Sequence, residues 1–160
     1  MPPAPDAHPD GPSAADRSRR LLGNVTTSQP ELEQRLLAAL DAIDEPVCFA
    51  SAIRDRDGRI LDFRLEFVNL AAARWAGVPR ETMVGLITGD LLPAFRSSGY
   101  FDTVQDVVET GIPSFRDGAP IADSVPGGSW VGGMYDLRAI RLGDGFLTTW
   151  RLRAATPEPG

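Results

Sequence analysis

Ile60-Leu-Asp-Phe-Arg-Leu-Glu-Phe-Val-Asn-Leu-Ala-Ala-Ala-Arg-Trp-Ala-Gly77 reads as one strand running into one helix, and the rest of the chain is organised around it. Leu61, Phe63, Leu65 and Phe67 alternate with Asp62, Arg64 and Glu66, the period-two pattern of a strand with one buried and one wet face. The pattern switches at Asn69, whose side-chain oxygen suits an N-cap. Ala71 to Ala76 then follow as strong helix formers, and Gly77 stops them.

Working back from this stretch, Asp57-Gly58 is a hairpin signal that joins it to an earlier strand, Val47 to Arg54. On that strand Val47, Phe49, Ser51 and Ile53 share one face, and Cys48, Ala50 and Ala52 the other, where small side chains leave room for something to lie across it. Further back, Ser28-Gln-Pro-Glu31 is a capping box that opens a helix over residues 29–45, with Leu32, Leu36, Leu40 and Ile43 on one stripe. Residues 1–28 are rich in Pro, Ala and polar groups, too poor in apolar area to offset the entropy of ordering, and are expected to be a disordered tail.

Downstream, short helical turns are expected over Pro79 to Val84 and around Leu91 to Phe95, with a break at Gly85. Ser97 or Ser98 should cap a longer helix through Glu109 that buries Phe101, Val104 and Val108, and Gly111 should close it. Ile112 to Gly128 reads as a weak edge strand and a long loop. Trp130 to Arg141 and Gly145 to Arg153 read as a second hairpin, turning at Gly143-Asp144-Gly145. The domain proper is expected over 46–153, with a second disordered tail over 154–160. One antiparallel sheet with helices on one side of it is an α+β fold.

The 160 residues suffice for one domain, and with 42% hydrophobic and 24% charged residues the composition is that of an ordinary soluble protein. A net charge of -6 argues against nucleic-acid or anionic-membrane binding, and the one basic run, Arg17-Ser-Arg-Arg20, reads as solvated tail. All 16 basic residues are arginine, which excludes Schiff-base lysines and P-loop lysines. No signal peptide or membrane span is legible, so a cytoplasmic location is expected.

Five motifs in this order resemble the PAS domain, the S-box-like sensory module of many bacterial signalling proteins. They are Asp57-Gly-Arg-Ile-Leu-Asp-Phe-Arg-Leu-Glu-Phe-Val-Asn69, Ala71-Ala-Ala-Arg-Trp-Ala-Gly77, Arg80-Glu-Thr-Met-Val-Gly85, Val108-Glu-Thr-Gly111 and Tyr135-Asp-Leu-Arg-Ala-Ile-Arg-Leu-Gly-Asp-Gly145. The resemblance implies a five-stranded antiparallel sheet in the order 2-1-5-4-3, a pocket on its concave face that holds haem, flavin or a small metabolite or is filled by the domain's own side chains, and a homodimer formed through the preceding helix. Here that dimer face would be Leu32, Leu36, Leu40 and Ile43. Where the family often closes its last strand with Asp-Ile/Val-Thr, this sequence has Leu152-Arg153-Ala154 and then ends, so output is expected through the dimer or a separate signalling protein.

Which ligand such a pocket would hold is unknown from sequence. The only histidine, His8, lies in the expected tail, which argues against His-ligated haem, and Met83 or Met134 would be unusual replacements. Cys48 lies on the first strand, away from where flavin-photochemical members carry their cysteine, and reads as a buried thiol. The pocket candidates are Phe49, Ser51, Phe63, Phe67, Tyr135, Thr148 and Trp150, an aromatic face on which three hydroxyls invite a ligand or water. Asp62 and Glu66 flank Arg64 as a solvated charge ladder, and no His/Ser or His/Cys set exists in the folded part, so no catalytic residue is assigned. The leading expectation is a non-enzymatic sensor that binds a small molecule or protein partner. A ligand-free dimerisation module and a small enzyme on a similar cupped scaffold are the alternatives.

Overall fold

The computed structural model describes residues 11–23 and 27–154, and the chain divides into two units, residues 1–35 and 36–160. The first unit holds a helix, α1 (Ala14–Leu22), where a disordered tail was expected. The reason is local: Ser13 accepts the Asp16 amide as an N-cap, Ala14 and Ala15 favour helix, and Arg19 and Arg20 sit in the last turn, where cations complement the helix dipole. No residue of α1 is buried. The remainder of the expected tails, residues 1–10, 24–26 and 155–160, lies outside the described residues.

The capping box forms as the sequence predicts. The Glu31 carboxylate accepts from the Ser28 amide at 2.9 Å and from its hydroxyl at 2.8 Å, and α2 (Gln29–Asp41) follows. This helix stops four residues short of the expected end at 45, so Ile43 lies past it and does not continue the leucine stripe. At and just past its end, the Asn69 side-chain amide donates to the carbonyls of Leu40 (3.0 Å), Ile43 (3.3 Å) and Glu45 (2.9 Å), and Pro46 disfavours helix at the residue before it.

The second unit is built on a five-stranded antiparallel sheet of β1 (Val47–Arg54), β2 (Ile60–Val68), β3 (Ser114–Ile121), β4 (Gly133–Arg141) and β5 (Gly145–Leu152), in the order β2-β1-β5-β4-β3. Between β2 and β3 run α3 (Leu70–Ala76), α4 (Arg80–Met83), α5 (Thr88–Leu91), a 3-10 turn at Pro93–Phe95, and α6 (Tyr100–Thr110). Asn69 caps α3, accepting from the Ala72 amide at 2.9 Å, and Gly77 ends it in the left-handed region at φ 71°. Helix α6 buries Phe101, Val104, Val107 and Val108 against the sheet. Its N-cap is Gly99 and not a serine, although the Ser98 hydroxyl accepts the Tyr100 amide.

Strand β2 departs from simple alternation, and this decides what each sheet face carries. Its pairing with β1 shifts register twice, between Phe49 and Ala50 and between Ile53 and Arg54, leaving Glu66 and Leu61 as extra residues. A one-residue bulge reverses the phase of every side chain beyond it. Phe63 and Leu65 therefore point into the core, but beyond the bulges Ile60 and Val68 take the inward positions, while Leu61 is exposed. Phe67 pairs with Phe49 on the other face, where the two rings stack with centroids 5.0 Å apart. On the concave side Phe63, fully buried, meets Phe146 and Phe101 edge-on.

Candidate functional site

The concave face of the sheet and the short helices enclose a cavity of about 640 Å³, inside the range of about 300–1,000 Å³ typical of small-molecule sites. Cys48, Leu65, Val68, Leu137, Phe146, Thr148 and Trp150 line it from the sheet, and Trp75, Met83, Leu91, Leu92 and Phe95 from the helical side. It exists because β1 turns its small side chains inward: Cys48 and Ala50 leave volume that aromatic residues at those positions would fill. The exposed members of the lining are Arg116, Asp117, Pro120 and Ala122 on one side and Ser97 and Ser98 on the other, so the mouth lies between β3 and the approach to α6.

Two polar clamps hold the walls. Asp62 accepts from the Thr88 hydroxyl at 2.9 Å and from Arg96 at 2.8 Å, and Arg96 also donates to the Leu61 carbonyl and covers the Phe101 ring, so the segment 88–96 is fastened to β2. Burial works against the charged form of Asp62, but the hydrogen bonds from Arg96, the Phe63 amide and Thr88 outweigh it and hold the carboxyl below its usual range. Across the mouth, Asp123 accepts from the Ala94 amide at 3.0 Å and from the Ser124 amide at 2.9 Å, tying the loop after β3 to the 3-10 turn.

Counting protons shows what the cavity offers a guest. Thr148 donates to the Arg138 carbonyl at 2.8 Å, so in its 2.6 Å contact with Tyr100 the tyrosine is the donor, and both hydroxyls have only acceptor capacity left. Ser97 and Ser98 donate to the Ala94 and Phe95 carbonyls, and Trp75 Nε1 donates to the Tyr135 hydroxyl at 3.0 Å. Trp150 Nε1 is buried with no acceptor among the described residues, a state that costs about 1–3 kcal/mol. Burial pushes the Cys48 thiol up to about 12 and raises the Tyr100 hydroxyl as well, so both are neutral near pH 7.

Of the seven residues expected in the pocket, Thr148 and Trp150 line it. Phe63 and Tyr135 lie on the same side of the sheet but inside the core, and the Tyr135 hydroxyl is occupied by Trp75. Phe49, Ser51 and Phe67 are placed on the opposite face, which corrects their assignment: Phe49 and Ser51 alternate with the cavity-lining Cys48, and the bulge at Glu66 sends Phe67 the same way. Sequence reasoning missed Arg116, Tyr100 and Trp75 among the lining residues. The usable signal was the small face of β1, which marks the concave side. Along the expected dimer stripe, Leu32, Leu36 and Ile43 are exposed and Leu40 is half-buried.

The five-stranded sheet with its helices recurs in solved structures. The chain has the PAS fold. A domain of the sensory box sensor histidine kinase/response regulator from Geobacter sulfurreducens superposes with a TM-score of 0.51 at 20% identity, covering 79% of this chain and 98% of that one. A PAS domain from a two-component sensor histidine kinase gives 0.53 at 15% identity over 78% of this chain and 100% of that one. The PAS domain of an HTR-like protein from Haloarcula marismortui gives 0.52 at 17% over 84% and 96%. No family model matches the sequence, and no curated protein does. At these identities the likeness fixes the PAS fold and leaves the cavity's occupant to be argued from its own residues. No helix among the described residues is long and apolar enough to cross a membrane, and no group of His, Cys, Asp and Glu among them could hold a metal ion.

Proposed function

We propose that this chain is a sensory module that takes a small molecule into the concave cavity and signals through changed association with a second copy or a separate signalling protein. The observation that carries this reading is the cavity of about 640 Å³ with mainly apolar walls between the sheet and the short helices. A collapsed core would not have the space. Binding without turnover is the reading the chemistry favours, because the Tyr100, Thr148, Ser97, Ser98 and Thr88 hydroxyls are committed to one another, to backbone carbonyls or to Asp62, and the one thiol is held neutral.

The path from cavity to output runs through adjacent residues. Cys48 and Val68 line the cavity, and their chain neighbours Val47 and Asn69 are joined by a 2.9 Å hydrogen bond from the Val47 amide to the Asn69 side chain. The same Asn69 holds the Leu40 carbonyl at the end of α2. A ligand that shifts β1 against β2 thereby biases the helix that carries exposed Leu32 and Leu36, by as much as its affinity differs between the two arrangements.

Native mass spectrometry of freshly purified protein beside its denatured mass tests the reading. Extra mass lost on denaturation supports it and identifies the ligand. Protein with no adduct, whose melting temperature no member of a metabolite panel raises, overturns the small-molecule reading. The second reading, an association module without ligand, rests on a different observation: a cross-strand row of Ile140, Leu147, Phe49 and Phe67 spans four strands of the convex face. A concentration-dependent dimer in ligand-free protein supports that one.

A further inference from the structure

Resting on the reading of the cavity as a ligand site, we propose that its ligand is an amphipathic monocarboxylate, with the carboxylate held by Arg116 and an apolar body against Trp150 and the other cavity walls. The anchor is a register row. Arg116 on β3 is paired with Leu137 on β4, and Leu137 with Trp150 on β5, so the three side chains share the concave face. Two strand spacings put the Arg116 and Trp150 Cα atoms about 10 Å apart, and both long side chains flank Leu137 between them.

The two outer members of this row are donors without partners. The ion pairs among the described residues use Arg19, Arg54, Arg64, Arg80, Arg96 and Arg153, and Arg116 is in none of them. Trp150, 8% exposed, has its Nε1 buried and unsatisfied. The indole nitrogen is closed off from the cavity, so a guest's acceptors meet Arg116, and a carboxylate matches the planar fork of a guanidinium. Thr148 and Tyr100 retain only acceptor capacity, so they offer no competing donor to the head group.

The other charges near the mouth limit the ligand's charge. Asp117 follows Arg116 at the β3 irregularity and is unpaired among the described residues, and Asp123 spends its oxygens on the Ala94 and Ser124 amides. Both line the cavity, so one arginine faces two carboxylates, which disfavours a second or third negative charge on the guest. The remaining walls, Leu65, Val68, Met83, Leu91 and Phe146, suit an uncharged hydrocarbon body.

Decanoate and decanol form a matched pair that differs only in the head group. Calorimetric or tryptophan-fluorescence titration of the full chain is expected to show decanoate binding about tenfold tighter than decanol. In Arg116→Gln the preference should vanish while decanol affinity and the circular dichroism melt stay as in the parent. Equal affinity for acid and alcohol overturns the proposal while leaving the cavity a ligand site. Binding of neither probe to protein that does carry a native adduct overturns it likewise, and an acid preference that survives Arg116→Gln shows that the head group is held elsewhere.

Discussion

Asn69→Ala is the substitution with the largest expected consequence away from the cavity. Asn69 is fully buried, and its Oδ1 accepts from the amides of Val47 and Ala72, each at 2.9 Å and each buried, while Nδ2 reaches three carbonyls at the end of α2. Alanine leaves two buried N–H groups unpaired at about 1–3 kcal/mol each, so a loss on the order of 4 kcal/mol is expected, a large share of the roughly 5–15 kcal/mol of a typical domain. Urea unfolding reads it as a lower midpoint at unchanged slope. Asn69→Asp sharpens the test. It keeps the two acceptor bonds but turns a second oxygen toward the carbonyls of Leu40, Ile43 and Glu45. Burial and these oxygens favour the protonated acid, so the folded-state pKa of the new carboxyl should lie above its unfolded value. The protonated variant is then the stable one, its stability present at low pH and lost as pH rises through the folded pKa, so its deficit against the parent should shrink on acidification. A loss below about 1 kcal/mol in Asn69→Ala, or a deficit in Asn69→Asp that does not change with pH, would refute the clamp.

Two further outcomes are expected. Cys48, with its thiol pushed up to about 12 by burial, should resist a thiol-disulfide reagent at about pH 8 in the native state and react at the rate of unfolding, so stoichiometric labelling of folded protein would contradict its placement. Asp62, Asp136 and Asp144 all have folded-state pKa values held below the ordinary one: burial opposes this most at Asp62, whereas hydrogen bonds from Arg153 and Arg54 lead at Asp136 and Asp144. The folded state therefore binds fewer protons than the unfolded chain below about pH 4, and the stability these groups add is lost as pH falls through their folded pKa values. Melting in a series of acidic buffers should show a fall that Asp62→Asn makes shallower, and an equal slope in that variant would remove Asp62 from the account.

The strands, the two hairpins and the sheet's α+β character were legible because each rests on short-range signals: alternation in Phe146, Thr148 and Trp150, turn glycines at Gly58 and Gly143, and a cap at Asn69. The ends of elements were less legible, since α2 stops where a side chain distant in sequence captures its carbonyls, and α1 forms from caps that composition hides. Arg116 was not legible as a lining residue because its placement depends on the register of β3 with β4, a pairing that a Gly- and Pro-rich segment does not announce.

The misplaced half of the pocket carries the more general physical point. Aromatic residues were assigned inward because burial rewards apolar area, and by that rule Phe49 and Phe67 outrank Cys48 and Ala50. A cavity inverts the rule, because empty volume beside a sheet requires small side chains on the strand beneath it. Phe49 and Phe67 instead cover each other on the convex face, stacked at 5.0 Å, where Leu147 pairs beside Phe49. The bulge at Glu66 makes this arrangement possible: it lets one strand deliver Phe63 and Leu65 to the core, Val68 to the cavity and Phe67 to the outside, which no unbroken alternation allows. The small face of β1 and the phase shift in β2 are thus what leave open volume on the concave side while the aromatic pair lies on the other.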